Sequence, residues 1–255
     1  MNSNGFQDSI CSAARLVSES QKAVVFTGAG ISTPSGIPDF RSPGTGLWEH
    51  FDPMAILSLT AFRKNPEKFY TWLKDLLITT ANAQPNPAHL ALAQMEKAGK
   101  LQAVITQNID GLHQKAGSKY VIELHGSLQT ATCLNCQKEY AATPFNQALV
   151  ESGTLPCCPA CQNLLKPAIT LYEEMLPEKA WQDAESLCSQ ADLMIIIGSS
   201  LEVIPAAHLP EIAVRNQARL IIINYSPTHL DTYADVLLPY NAAAALPALV
   251  QEVLG

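Results

Sequence analysis

The 255-residue sequence predicts an α/β protein, a parallel sheet with helices on both faces joined to a smaller lobe of different character. Three observations predict it. Short runs rich in Val and Ile recur along the chain, helix start and stop signals lie between several of them, and two segments break the alternation. With 47% hydrophobic residues, a chain of this length buries a full core without a tether.

Met1–Ser20 carries Asp8, Arg15 and Glu19 within an apolar pattern, which predicts a surface helix and not a signal peptide. Ala23–Thr27, Gln102–Gln107, Tyr120–Leu124, Leu193–Gly198, Leu220–Asn224 and Val236–Leu238 read as strands buried on both faces. Before the second of them, Asn86 reads as an N-cap with Pro87 at the first helical position, Leu90, Leu92 and Met95 as the apolar face, and Gly99 as the stop. Ala242–Ala245 belongs to a last helix. Residues 42–83 contain Pro53, Phe62, Phe69, Tyr70 and Trp72 but no strand run, and read as a helical insertion. Residues 129–166 are rich in Cys and polar turn formers.

Sixteen Lys and Arg against 23 Asp and Glu give a net charge of −7, which provides no basic field for nucleic acid or an anionic membrane surface. Leu193–Gly198, the most apolar run, is far shorter than a membrane span. The expectation is a cytoplasmic protein that binds neither nucleic acid nor membrane.

Five of the seven cysteines fall between Cys133 and Cys161, a metal-site pattern of a reducing compartment. Cys133-x2-Cys136 and Cys158-x2-Cys161, with 21 residues between them, offer four thiolates to a tetrahedral zinc ion. A full thiolate set leaves no open position, so the zinc is expected to be structural. Cys157 is the spare, and Cys11 and Cys188 are expected to be small core residues.

The first strand empties into Gly28-Ala29-Gly30-Ile31-Ser32, a turn whose glycines let backbone N–H groups approach a pyrophosphate at the start of a following helix. Thr33 stands where the usual dinucleotide fingerprint has a third glycine, and Asp39-Phe40-Arg41 adds a carboxylate, a ring and a guanidinium just beyond. Gln107, Asn108, Ile109 and Asp110 end the second predicted strand and lead to His113, while His125 ends the third. Gly198-Ser199-Ser200 and Asn224-Tyr225-Ser226 end two later ones. Ligands of open α/β sheets bind at such carboxyl ends, yet each residue could instead cap a helix or satisfy a turn. Spacing does not choose between His113 and His125 as a base.

Taken together, the Gly28–Ser32 turn, Gly36–Arg41, Thr106–Asp110, His125-Gly126, the two Cys-x2-Cys pairs, Gly198-Ser199-Ser200 and Asn224 resemble the sirtuins, in order and spacing from Thr27 to about Val236. The resemblance implies NAD-dependent removal of acyl groups from lysine, with acyl-lysine proteins or peptides as partners and one structural zinc ion. It implies one catalytic domain, with a Rossmann-like lobe over about 1–41, 84–128 and 167–255, a helical insertion over 42–83 and a zinc module over 129–166. His125 matches the family's base, and His113 a structural position. Asn108 would order ribose and water, Asp110 and Ile109 would hold the nicotinamide carboxamide, and Asp39, Phe40 and Arg41 would belong to a loop over the bond to be broken. Gly28, Ala29, Gly30, Ser32, Gln107, Gly198, Ser199, Ser200, Asn224, Tyr225 and Ser226 would complete the NAD site. Ile169, Leu171, Tyr172, Glu173 and Val203 would bind the substrate.

Two departures stand out. Tyr172-Glu173-Glu174 replaces the family's more frequent Phe-Gly-Glu, and Tyr70-Thr71-Trp72-Leu73 lacks the arginine of the Tyr-x-x-Arg pair that goes with acidic acyl groups. The second predicts preference for acetyl or other neutral acyl groups. ADP-ribosyl transfer or NAD hydrolysis is the competing reaction, and a non-catalytic NAD sensor with a zinc-ribbon module the competing non-enzyme.

Overall fold

A computed structural model describes residues 3–39 and 52–255. In chain order the elements are α1 (Ser3–Glu19), β1 (Ala23–Thr27), α2 (Met54–Leu57), α3 (Leu59–Lys64), α4 (Pro66–Asn82), α5 (Pro87–Lys97), β2 (Ala103–Thr106), α6 (Leu112–Ala116) and β3 (Val121–Glu123). Next come β4 (Gly126–Cys133), β5 (Glu139–Ala141), α7 (Thr143–Ser152), β6 (Leu165–Ile169), α8 (Glu178–Gln190), β7 (Leu193–Ile197), α9 (His208–Arg215), β8 (Arg219–Ile223), β9 (Val236–Leu238) and α10 (Ala242–Leu254). They form two compact units: Met1–Gly36 with Gln84–Leu124 and Glu178–Gly255, and Ile37–Ala83 with His125–Pro177. No helix among the described residues is long and apolar enough to cross a membrane.

The first unit is a six-stranded sheet in the order β3-β2-β1-β7-β8-β9, parallel throughout. All six strands expected from the sequence are present. The inner strands β1, β2 and β7 are buried along their whole length, whereas the edge strand β9 exposes its middle residue, Leu237. Val25, Ile195, Ile197 and Ile221 share one face with Ile10 and Val17 of α1, Leu92 and Met95 of α5, and Leu246 and Leu249 of α10. α9 packs on β7, and α8 on α9 and β3. Asn86 caps α5 as its sequence predicts, accepting from the Ala88 N–H at 2.9 Å.

Two expectations fail here. No α-helix comes after Gly30; the chain makes two 3₁₀ turns, Ala29–Ile31 and Thr33–Ser35, and Gly36 then closes the second at φ +83. Pro34 and Pro38 lack the N–H a longer helix would need, so the helix start expected directly after this turn does not form. Cys188 is buried as expected, but Cys11 is exposed because it lies on the solvent side of α1, whose core side is held by Ile10, Ala13, Ala14 and Val17.

The second unit is built on the three-stranded antiparallel sheet β5-β4-β6. Phe62 of α3 and Phe69 and Tyr70 of α4 form an edge-to-face cluster at 5.0–5.9 Å, with Trp72 5.7 Å from Phe69. Between the two cysteine pairs the structure adds α7, which the cysteine-rich reading passes over. Its signals are Pro144 in the first turn and Gly153, left-handed at φ +72, at the end.

Candidate active site and metal centre

In the first unit the direction of the strand order reverses at β1, between β2 and β7, where an open α/β sheet leaves a crevice at its strand ends. Gly28, Gly30 and Gly198 interlock there. A Cβ on Gly28 would lie 2.7 Å from the Gly198 carbonyl oxygen, and one on Gly30 would lie 2.8 Å from Gly198 Cα. The Gly28 and Gly30 N–H groups donate to the carbonyls of Ile197 and Gly198, at 3.0 and 2.9 Å. The glycines therefore serve by close backbone approach. Among the described residues, the Ala29 N–H between them donates to no group.

Beside this turn the polar ends of β1 and β2 form one network. The Ser32 hydroxyl donates to Asp110 Oδ2 at 2.7 Å and accepts from Asn108 Nδ2 at 3.2 Å. Asn108 Nδ2 also reaches the Gly28 carbonyl at 3.1 Å. Asp110 Oδ1 accepts the Leu112 N–H at 2.8 Å, so the carboxylate caps the turn into α6 with one oxygen and holds Ser32 with the other. Gln107 Nε2 donates to the buried Ser199 hydroxyl at 2.9 Å. Asn224 Nδ2 donates to the Ser226 carbonyl at 2.7 Å, beside an exposed Tyr225.

Beneath this network lie two buried imidazoles, 4.9 Å apart. His89 Nδ1 accepts the Asn86 N–H at 3.4 Å, which leaves Nε2 as the donor toward Ser32 Oγ, also at 3.4 Å. His113 Nε2 lies 3.0 Å from Thr27 Oγ1; since Thr27 donates to Thr106 at 2.8 Å, the imidazole is the donor. Burial pushes His113 down to about 3, with the neighbouring His89 adding to the effect. Burial likewise lowers His89 to about 4, against a smaller opposing pull from Asp110. Both are neutral at physiological pH. The sequence reading assigns no role to Thr27, Thr106 or His89, although each threonine is the one polar residue closing an apolar strand.

In the second unit His125 is half-buried, and its carbonyl accepts the Thr170 N–H at 2.8 Å. Ile169 and Leu171 are buried, Tyr172 half-buried and Glu173 exposed. Tyr172 pairs by its backbone with the α2–α3 junction: its N–H donates to the Leu57 carbonyl at 2.9 Å and its carbonyl accepts the Leu59 N–H at 3.0 Å. Val203, in the first unit, is half-buried and accepts the Ala207 N–H through its carbonyl. Asp39 is half-buried, and Phe40 and Arg41 lie outside the described residues.

Cys133, Cys136, Cys158 and Cys161 converge, all four Sγ atoms lying within 4.8 Å of one another. Cys133 and Cys161 are 3.4 Å apart and Cys136 and Cys158 3.6 Å, close to the roughly 3.8 Å edge of a tetrahedron with Zn–S bonds of about 2.3 Å. Each knuckle ends on a left-handed residue, Gln137 at φ 58 and Gln162 at φ 61, which turns the chain back after the second cysteine. Cys157 is exposed, its backbone bridged to Leu164, and takes no part. The donor set fits one structural zinc ion.

A doubly wound α/β fold with polar strand ends at its switch point, joined to a four-cysteine ribbon, defines a dinucleotide-binding class of protein with a structural metal. Comparison with known proteins narrows the class to one family. A family model for the Sir2 family matches residues 28–205, and the chain belongs to that family. It is 46% identical over 226 residues to the NAD-dependent protein deacetylase of Thermotoga maritima, covering 89% of this chain and 90% of the relative. It is 43% identical over 251 residues to NAD-dependent protein deacylase 2 of Archaeoglobus fulgidus, covering 97% of each. A solved Sir2 structure with a p53 peptide and NAD+ superimposes with a TM-score of 0.86 at 40% identity, covering 99% of this chain and 98% of that one.

Proposed function

We propose that this chain removes acetyl or other neutral acyl groups from lysine side chains of proteins, using NAD as co-substrate and releasing nicotinamide and O-acyl-ADP-ribose. The observation that carries the reading is the Ser32–Asn108–Asp110 cluster beside the three interlocked glycines at the sheet's switch point. Relatives named as NAD-dependent deacetylases and deacylases support it.

NAD supplies the glycosidic bond to be broken and the ribose hydroxyl that receives the acyl group. Gly28, Gly30 and Gly198 make room for its pyrophosphate, and Ala29 offers an N–H. Ser199, Ser200, Asn224, Tyr225 and Ser226 take the adenosine half, with Gln107 holding Ser199. Asn108, anchored by Ser32, orders the ribose and water, and Asp110 with Ile109 holds the carboxamide. Asp39, Phe40 and Arg41 belong to the loop over the bond to be broken, with Phe40 on the nicotinamide side and Arg41 toward phosphate or ribose oxygens. His125 takes the proton of the ribose hydroxyl, a role suited to an imidazole, which can accept a proton on one ring nitrogen.

The peptide adds as a strand along Ile169, Leu171, Tyr172 and Glu173, with Val203 as a further contact. Supporting this, Ile169 and Leu171 bury their side chains, and among the described residues the Glu173 N–H and carbonyl take part in no hydrogen bond. Acyl preference comes from Tyr70 and Leu73, both buried, with the Tyr70 hydroxyl already donating to the Leu165 carbonyl. No guanidinium at position 73 meets an acyl carboxylate. The chain works as one catalytic domain in the cytoplasm, its zinc holding the ribbon together.

The deciding experiment incubates the pure protein with NAD and an acetyl-lysine peptide and measures nicotinamide and O-acetyl-ADP-ribose by mass spectrometry. Both products are expected; absence of both favours an NAD sensor, and nicotinamide alone favours NAD hydrolysis. His125→Ala is expected to reduce acyl transfer by roughly 10²- to 10⁴-fold while NAD cleavage persists.

A further inference from the structure

Two consecutive glutamates stand at the end of the proposed substrate segment, and their side chains are anchored on different partners. Glu174 turns inward. Its carboxylate accepts the Leu171 N–H at 2.8 Å and pairs at 2.8 Å with the ammonium of Lys166, a lysine buried inside β6. The same ammonium donates to the carbonyls of Ile169 at 2.6 Å and Pro167 at 3.3 Å. One buried cation thus ties the end of β6 to the turn just beyond it, and its charge is compensated on the spot.

Glu173 is anchored on α3. Its backbone is left-handed at φ +74, a conformation that favours glycine, and its carboxylate accepts the Thr60 N–H at 2.8 Å. The Thr60 hydrogen bonds hold that carboxyl below its ordinary value, with Lys64 and Arg63 adding smaller pulls. The Tyr172 backbone is fixed by Leu57 and Leu59. Side chains therefore clamp the segment from 169 to 174 at both ends, while the Glu173 backbone groups stay uncommitted among the described residues.

We infer that Lys166, Glu173 and Glu174 are positioning residues for the acyl-lysine peptide: the buried Lys166–Glu174 pair and the Glu173–Thr60 bond hold residues 169–173 in the shape to which a substrate strand adds. The inference rests on the strand-addition reading of the proposed function. A segment already ordered loses less conformational freedom when the peptide binds, so the brace acts on peptide affinity more than on turnover.

Three variants test it: Glu173→Ala, Glu173→Gln, and the double change Lys166→Met with Glu174→Gln, which removes the buried charge pair without stranding either partner. Bound zinc and Tm establish that each is folded. Amide exchange of residues 170–173 and separate KM and kcat values for an acetyl-lysine peptide and for NAD are then measured. Glu173→Ala and the double variant are expected to speed exchange and raise the peptide KM by roughly tenfold, about 1.4 kcal/mol, with kcat and the NAD KM within about twofold of wild type. Glu173→Gln keeps the acceptor for Thr60 and is expected to recover most of both effects. Unchanged exchange in folded variants overturns the brace, and faster exchange with an unchanged peptide KM overturns its role in substrate positioning. Failure of the wild-type protein to turn over or bind the peptide refutes the strand-addition reading, while the exchange data still decide whether the brace exists.

Discussion

Replacing Gly198 with alanine tests the glycine interlock most directly. The residue sits at φ +58, and its new methyl carbon would lie 2.5 Å from the Gly30 carbonyl carbon and 2.8 Å from Gly30 Cα. Those are backbone atoms of a turn pinned by the Gly28-to-Ile197 and Gly30-to-Gly198 hydrogen bonds, so they cannot swing aside as a side chain does. The left-handed conformation costs a residue with a Cβ about 1 kcal/mol. Forced displacement of packed atoms adds about 1–3 kcal/mol. The sum, about 2–4 kcal/mol, lowers Tm by about 4–16 °C in a chain of this size. Gly153→Ala is the control: at φ +72 it carries the conformational cost, yet its methyl group meets no atom within 4 Å. It is expected to lose only about 1 kcal/mol. Scanning both variants with and without NAD measures stability and cofactor binding together, because a ligand that binds only the folded state raises Tm. Gly198→Ala should lose most of the NAD-induced rise and Gly153→Ala should keep it. A Gly198→Ala protein as stable as the control, with the full rise, refutes the interlock.

The other expectations concern the metal, pH and acyl group. Elemental analysis is expected to find one zinc per chain; chelation or Cys158→Ser should lower Tm and abolish activity, whereas Cys157→Ser should change neither. His89 and His113 stay neutral in the folded protein down to about 4 and 3 while their unfolded counterparts protonate near 6.5. The unfolded state therefore binds more protons below pH 6.5, and stability falls as pH drops toward 4. Denaturant titration of His113→Gln from pH 7 to 4.5 should show a slope shallower by about one proton, ~1.4 kcal/mol per pH unit, and an unchanged slope contradicts the assignment. An acetyl-lysine peptide should exceed its succinyl counterpart more than tenfold in kcat/KM, since an unpaired buried carboxylate costs several kcal/mol. Equal or faster succinyl turnover contradicts that preference.

The sheet is legible in the sequence because its strands are buried on both faces and so read as unbroken apolar runs, as Leu193–Ile197 shows. The zinc ligands are legible because two Cys pairs at knuckle spacing carry their own geometry. The segment after Gly30 misleads, since a Gly-x-Gly turn looks alike before a helix and before a 3₁₀ turn; Pro34, Pro38 and Gly36 decide the matter locally. Cys11 fails for another reason, because one helical position separates it from the buried Ile10 and burial there depends on the direction of the face. The buried imidazoles and the Lys166–Glu174 pair depend on assembly: Ser32 and His89, or Thr27 and His113, meet only when strands and helices have come together. Composition carries no trace of such meetings.

β6 is only five residues long, yet three parts of the second unit depend on it. Leu165 pairs with the zinc-ligand Cys133 across the sheet, its carbonyl receives the Tyr70 hydroxyl of the aromatic cluster, and Lys166 beside it anchors the proposed substrate turn. Helical insertion and metal ribbon, separated by a long stretch of the first unit in sequence, are thus one mechanical piece. Transplanting either module alone into a related scaffold would leave the Tyr70 phenol, the Leu165 carbonyl or the Glu173 carboxylate without its partner, so exchange between relatives has to move 52–83 and 125–177 as a pair.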